Sequence, residues 1–284
     1  MNKKSPTTKE RIAKVNVLLV KYYGIPFRPK KLPNPIDALI ATILSQNTND
    51  NNSYKAYLNL KRRYESIDKL AEAPRREIEN TIKVAGLGKQ KSAAIKAFLS
   101  SLKKRRDKID IRYIKKMDDE DILAELTSIK GVGVKTASCV LLFSLDRNVC
   151  PVDTHVHRTL NRMGIVKAKT PDKTFEQIKN QLLDGIAHQF HTNLIKLGRE
   201  ICKPSKPSCT ICPLLKVCSF KNKNLNKPSI TKNNTFLLLD SIWNSADYRI
   251  FWKNFYVYLC FTLKRNSIKF ELNIPRQLKF SGVK

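Results

Sequence analysis

The chain has 284 residues, 42% of them hydrophobic, which is room for about two domains with a buried core. Lys and Arg number 54 against 24 Asp and Glu, a net charge of +30. Self-repulsion on that scale disfavours a compact state unless a polyanion neutralises it, so nucleic acid is the expected partner. No run approaches the roughly 18 apolar residues of a membrane span, and only 9 Gly and 13 Pro exclude collagen-like and low-complexity classes.

The opening residues, MNKKSPTTKE, are basic but lack the apolar run and small-residue cleavage site of a secretory signal. A cytoplasmic, nucleoid-associated, monomeric protein is expected, with no membrane partner. Residues 35–45 place Ile36, Leu39, Ile40, Ile43 and Leu44 at i, i+3, i+4, i+7 and i+8, the stripe of an amphipathic helix with Pro35 in its first turn. Helical spacing recurs over residues 53–63, 75–84, 91–102 and 119–129. No period-two alternation precedes residue 230, so an all-α fold is predicted for the first 220 residues.

Two segments echo each other. Residues 84–95 contain GLGKQKSAAI and residues 129–140 contain GVGVKTASCV, each a Gly-hydrophobe-Gly turn leading into a helix. Glycine tolerates positive φ and leaves backbone N–H groups uncovered. With the positive end of the following helix, Gly131 and Gly133 form a candidate phosphate site. Lys135 falls in the first turn of the predicted helix 134–145. A cation there opposes the helix dipole, which favours the neutral amine that a Schiff-base nucleophile needs.

Asp153 precedes a predicted helix at 154–163. It is placed either to cap that helix or to face Lys135, and one carboxylate can do both. The helix 134–145 carries the chain away by about 18 Å, and the next seven residues can return it by up to roughly 23 Å. The histidines (His155, His157, His188 and His191) are expected to pack or cap.

Seven cysteines divide into two groups. Cys139, Cys150 and Cys260 are scattered and read as small core hydrophobes. Cys202, Cys209, Cys212 and Cys218 form C-x6-C-x2-C-x5-C, four soft ligands suited to tetrahedral zinc or an iron–sulfur cluster. Lys203 and Lys206 sit on the same loop as candidate phosphate contacts. Beyond Lys221 an Asn/Lys-rich linker leads to an apolar run at 236–240, an aromatic stretch at 251–263 and a candidate strand at 267–274, with no assignable role.

The sequence resembles endonuclease III, a DNA glycosylase family of the helix-hairpin-helix superfamily. The likeness rests on IKGVGVKTA (Ile129 to Ala137), PVDTHVHR (Pro151 to Arg158) and the four-cysteine spacing, with further support from LSQNTND (Leu44 to Asp50) and VAGLGKQKSA (Val84 to Ala93). It covers about residues 10–220. Val134, Asn49 and Gly88 stand where the family often has a basic, an acidic and an aromatic residue respectively.

The resemblance implies a two-domain, all-α glycosylase fold. Residues 25–145 would be a six-helix domain, and residues 1–24 with 146–221 a cluster domain, leaving 222–284 as an extension. It implies a [4Fe-4S] cluster on the four cysteines and, as partner, double-stranded DNA containing damaged bases or abasic sites. It makes Lys135 the nucleophile and Asp153 the activating carboxylate. Gln46 would fill the gap left by a flipped nucleotide, and Leu87 would wedge the opposite strand. The implied activity is bifunctional: release of oxidised pyrimidines through a lysine Schiff base, then strand cleavage by β-elimination. A monofunctional mismatch glycosylase and a non-catalytic, cluster-stabilised DNA-binding protein are the competing readings.

Overall fold

The structure, a computed structural model, describes residues 5–226. These belong to the first of two compact units, which ends at Trp243; the second, Asn244–Lys284, lies outside the described residues, as do Cys260 and the predicted strand at 267–274. Among the described residues there are α-helices and short 3-10 turns and no strand, in keeping with the all-α expectation.

Local chemistry sets the helix starts. In α1 (Thr8–Tyr23), Thr7 and Glu10 form a reciprocal capping box, Thr7 Oγ1 accepting from the Glu10 amide at 3.2 Å and Glu10 Oε2 from the Thr7 amide at 2.8 Å. Asn34 caps α2 (Pro35–Ser45), with Pro35 at its first position. Asn49 caps α3 (Asp50–Arg63), and Ser66 caps α4 (Ile67–Glu72). The helix predicted to begin at residue 53 thus begins at Asp50, because Asn49 accepts from the Asn52 amide.

α5 (Arg75–Ile82) tightens into a 3-10 turn, Lys83–Ala85, rather than running to Val84 as expected. α6 (Gly88–Arg106) overruns its predicted limits, 91–102, at both ends. Then follow α7 (Asp119–Thr127), α8 (Val134–Leu145) and α9 (Thr154–Arg162), with α10 (Pro171–Ile178) and α11 (Ala187–Glu200) after them.

Two helices form the centre. α2 buries every residue from Pro35 to Leu44 except the half-buried Asp37, and α8 every residue from Thr136 to Ser144; helices buried on nearly all sides belong in a core. They pack against each other, with α3 and α6 also against α2 and α7 against α8. α11 packs against α1 and α9. Arg11 ties α1 to the end of α9, its Nη2 donating to the Met163 carbonyl at 2.7 Å, and Asn193 donates to the Gly24 carbonyl at 3.0 Å. No described helix is long and apolar enough to cross a membrane.

Candidate active site

The C-terminal end of α2 and the N-terminal end of α8 meet. Gln46 caps α2 and its Nε2 lies 3.4 Å from Thr136 Oγ1, on the residue after Lys135. Lys135 is half-buried in the first turn of α8. One turn on, Cys139 is fully buried. Burial raises the Cys139 thiol above its usual range, Lys135 opposing and Asp153 reinforcing that rise.

Asp153 is the N-cap of α9: its Oδ1 accepts from the Val156 amide at 2.8 Å. Of the two roles open in the sequence, capping is filled, and one carboxylate oxygen keeps its acceptor sites. Asp153 and Lys135 also share a neighbour, since the buried His191 imidazole feels both charges. Burial pushes His191 down to about 4, against the attraction of Asp153 and with the help of Lys135. Its Nδ1 lies 2.9 Å from the Pro151 carbonyl, which only accepts, so Nδ1 carries the proton. His191 packs edge-on against Phe143 of α8. It therefore braces the segment ending in Asp153 against α8. Sequence reasoning assigned it to packing or capping and could not see this role, because its backbone partner lies 40 residues away.

The two Gly-hydrophobe-Gly turns both lead directly into helices, α6 and α8, and neither helix has a side-chain cap. Gly131 has φ +91°, and a Cβ there would stand 2.8 Å from the Ala94 Cβ of α6. Gly133 corrects the expectation that both glycines are needed for the turn: its φ is −92°, and nothing lies within 4 Å of a Cβ built on it. Its bareness instead leaves the amides at the start of α8 open to a ligand. In the first turn Leu87 is 46% exposed with φ +50°, a left-handed conformation that costs a non-glycine residue about 1–2 kcal/mol. Strained, exposed leucine is an arrangement associated with function.

An ion pair links the region to α11. Arg199 Nη1 contacts Asp50 Oδ2, and Nη2 lies 3.4 Å from Oδ1.

Cys202, Cys209, Cys212 and Cys218 are half-buried free thiols on one loop. Burial pushes Cys212 up to about 11, with Cys202, Cys218 and Cys209 adding to the rise, so the four feel one another. Among the described residues, no three His, Cys, Asp or Glu side chains stand in a ready-made metal-holding group. The donor set nonetheless fits a soft metal centre: four thiols, none consumed in a disulfide.

Two arginines of α9, given no role by the sequence reading, hold this loop. Arg162 Nη1 donates to the Lys203 carbonyl and Nη2 to the Pro204 carbonyl, both at 2.7 Å, and Nη1 lies 3.5 Å from Cys202 Sγ. Arg158 donates to the Cys202 and Gly198 carbonyls at 3.0 and 2.8 Å. Lys203 is half-buried, and Lys206 is exposed with φ +48°.

The family description HhH-GPD superfamily base excision DNA repair protein matches residues 40–182. Endonuclease III of Thermotoga maritima is 36% identical over 193 residues, 68% of this chain and 86% of that protein. Endonuclease III of Sulfolobus acidocaldarius is 31% identical over 198 residues, 69% and 86% of the respective chains. A solved structure of a trapped endonuclease III–DNA covalent intermediate superposes with a TM-score of 0.63 at 26% identity, covering 75% of this chain and 96% of that one. By descent and by fold, the chain belongs to the endonuclease III family of HhH-GPD base excision DNA repair proteins, a class of DNA glycosylase enzymes.

Proposed function

We propose that the protein is a bifunctional DNA glycosylase and abasic-site lyase that releases oxidised pyrimidines from double-stranded DNA. What supports this reading is that Lys135, in the first turn of α8, and Asp153, the cap of α9, both act electrostatically on the same two buried groups, Cys139 and His191. A nucleophile without a nearby carboxylate would not serve a reaction that develops positive charge on the sugar. The endonuclease III relatives and the trapped covalent complex of one such enzyme support the same assignment.

The net charge of +30 draws the duplex in by counterion release, and the amides of the Gly131–Gly133 turn hold a phosphate, aided by Lys203 and Lys206. Leu87 wedges into the opposite strand while Gln46 fills the space of the extruded pyrimidine. Lys135 Nζ then attacks C1′ as the C1′–N bond breaks, the base leaving with the electron pair and a proton. Asp153 stabilises the charge developing on the sugar. The amine nitrogen then gives up protons as the C1′–O4′ bond breaks and O4′ takes one of them, so that the sugar ring opens and an imine to C1′ forms. Loss of a C2′ proton then expels the 3′ phosphate, cutting the strand. Cys202, Cys209, Cys212 and Cys218 would hold a [4Fe-4S] cluster, which supplies a covalent cross-link of the loop and an electron-transfer centre when bound. Residues 25–145 would form one wall of the DNA groove, and residues 1–24 with 146–221 the other.

The test is borohydride trapping of the purified protein on a duplex with one thymine glycol, with Lys135→Ala alongside. A covalent adduct that disappears in the variant is expected. Base release without an adduct would convert the assignment to a monofunctional glycosylase. Neither release nor adduct, on this duplex or on one with an abasic site, would overturn the enzyme reading in favour of a DNA-binding role.

A further inference from the structure

Lys91 is 2% exposed, yet it is a cation in an apolar neighbourhood. Its Nζ donates to two backbone carbonyls, Leu44 and Ala85, each at 2.8 Å. A buried ammonium is costly, and a methionine of similar length would pack there without that cost. The two carbonyls explain what the charge does. Leu44 is the penultimate residue of α2, two residues before Gln46, and Ala85 ends the 3-10 turn two residues before Leu87. Both are carbonyls at helical ends, which lack partners within their own helix. Sharing one nitrogen keeps them within twice the bond length of each other. The Lys91 amide also donates to the Leu87 carbonyl at 3.0 Å. Both loops that carry the inserting side chains are therefore anchored to one residue of α6.

We propose that Lys91 is a positioning residue that sets the spacing between Gln46 and Leu87, so that gap filling and strand wedging occur in register. This rests on the DNA-inserting roles proposed above for those two residues. It touches neither substrate nor reacting atoms and acts through two backbone segments.

The experiment compares full-length wild type, Lys91→Met, Leu87→Ala and the double variant. The substrates are a duplex with a paired thymine glycol and the same lesion inside an unpaired bubble. Single-turnover base release is measured, together with fluorescence of a 2-aminopurine placed beside the lesion. Lys91→Met is expected to slow release from the paired duplex about tenfold to a hundredfold, as misplacement by about an ångström does. Release from the bubble, where little unstacking remains to be done, is expected to fall less than about threefold, and in the Leu87→Ala background most of the effect disappears. Equal loss on both substrates, full additivity with Leu87→Ala, or no loss at all would overturn the proposal. Should Lys91→Met fail to melt cooperatively, Lys91→Gln retains a donor for one carbonyl and is read the same way, with an intermediate loss expected. The fluorescence separates the two readings. A wild type that unstacks the duplex but releases no base refutes the glycosylase assignment, and the Lys91→Met fluorescence then decides the positioning role.

Discussion

The turns at Gly86-Leu87-Gly88 and Gly131-Val132-Gly133 have the same residue pattern and the same helical sequel, and they use it in opposite ways. Val132 is 4% exposed and Leu87 is 46% exposed. In the second turn the left-handed residue is glycine, the hydrophobe enters the core, and the backbone is offered outward. In the first turn Gly86 is left-handed too, with φ +68°, but the middle leucine also takes a left-handed φ and leaves its side chain exposed. The pattern thus encodes a turn before a helix; which group faces the ligand is decided by what packs behind it. Behind Gly131 stands Ala94, and behind Leu87 runs the Lys91 clamp.

Substitutions pull the two turns apart. The largest effect on stability is expected for Gly131→Ala, which meets both a positive φ and a 2.8 Å approach to Ala94; calorimetry is expected to show a loss of about 2–4 kcal/mol. Val132→Ala removes two buried carbons and is expected to cost about 2 kcal/mol, with DNA binding measured by titration little changed. Leu87→Gly is expected to leave the fold unchanged or stabilise it by up to about 1 kcal/mol, by relieving the left-handed strain, while abolishing most base release. A stability loss on Leu87→Gly would show that the leucine packs rather than inserts. The smallest stability effect, within about 0.5 kcal/mol, is expected for Gly133→Ala, whose Cβ has open space. Its DNA affinity is expected to fall at constant salt.

Acidity adds a second comparison, between two buried bases: His191 against the segment that ends in Asp153, and Lys91 behind the Leu87 turn. His191 titrates at 6.5 in an unfolded chain and at about 4 when folded. Between those values the unfolded chain binds more protons, so stability falls as pH drops through that window. A denaturant series is expected to show a shallower acid limb for His191→Asn. Lys91 keeps its proton to 10.5 unfolded but only to about 8 when folded. The unfolded chain again binds more protons, so stability rises as pH climbs from about 8. The gain is about 1 kcal/mol by pH 9, where ionisation of cysteines such as Cys150 in the unfolded chain begins to oppose it. Lys91→Met is expected to lack that rise.

Much of the fold is written locally. α2 has the limits predicted from its apolar spacing and α8 those predicted for the helix after the glycine turn, because Asn34 with Pro35, and Gly133, mark their starts. The overrun of α6 comes from a basic last turn, Lys103 to Arg106, which suits the helix C-terminus but adds nothing to an apolar stripe. At the site, Lys135 and Asp153 were legible from their places at helix starts. Lys91, Arg158, Arg162 and His191 were not. Each acts on backbone carbonyls brought near by tertiary packing, and carbonyls are the same at every position of a sequence.

The contact between Gly131 and Ala94 constrains how such a chain can drift over generations. A longer side chain at position 94 would have to push α6 away or spoil the left-handed turn, and any side chain at 131 would meet the same wall. Neither position is free to vary alone. A library randomised at both sites and selected for folding is therefore expected to return small residues at the two positions as linked pairs, a covariation produced by the absence of atoms rather than by an attraction between them.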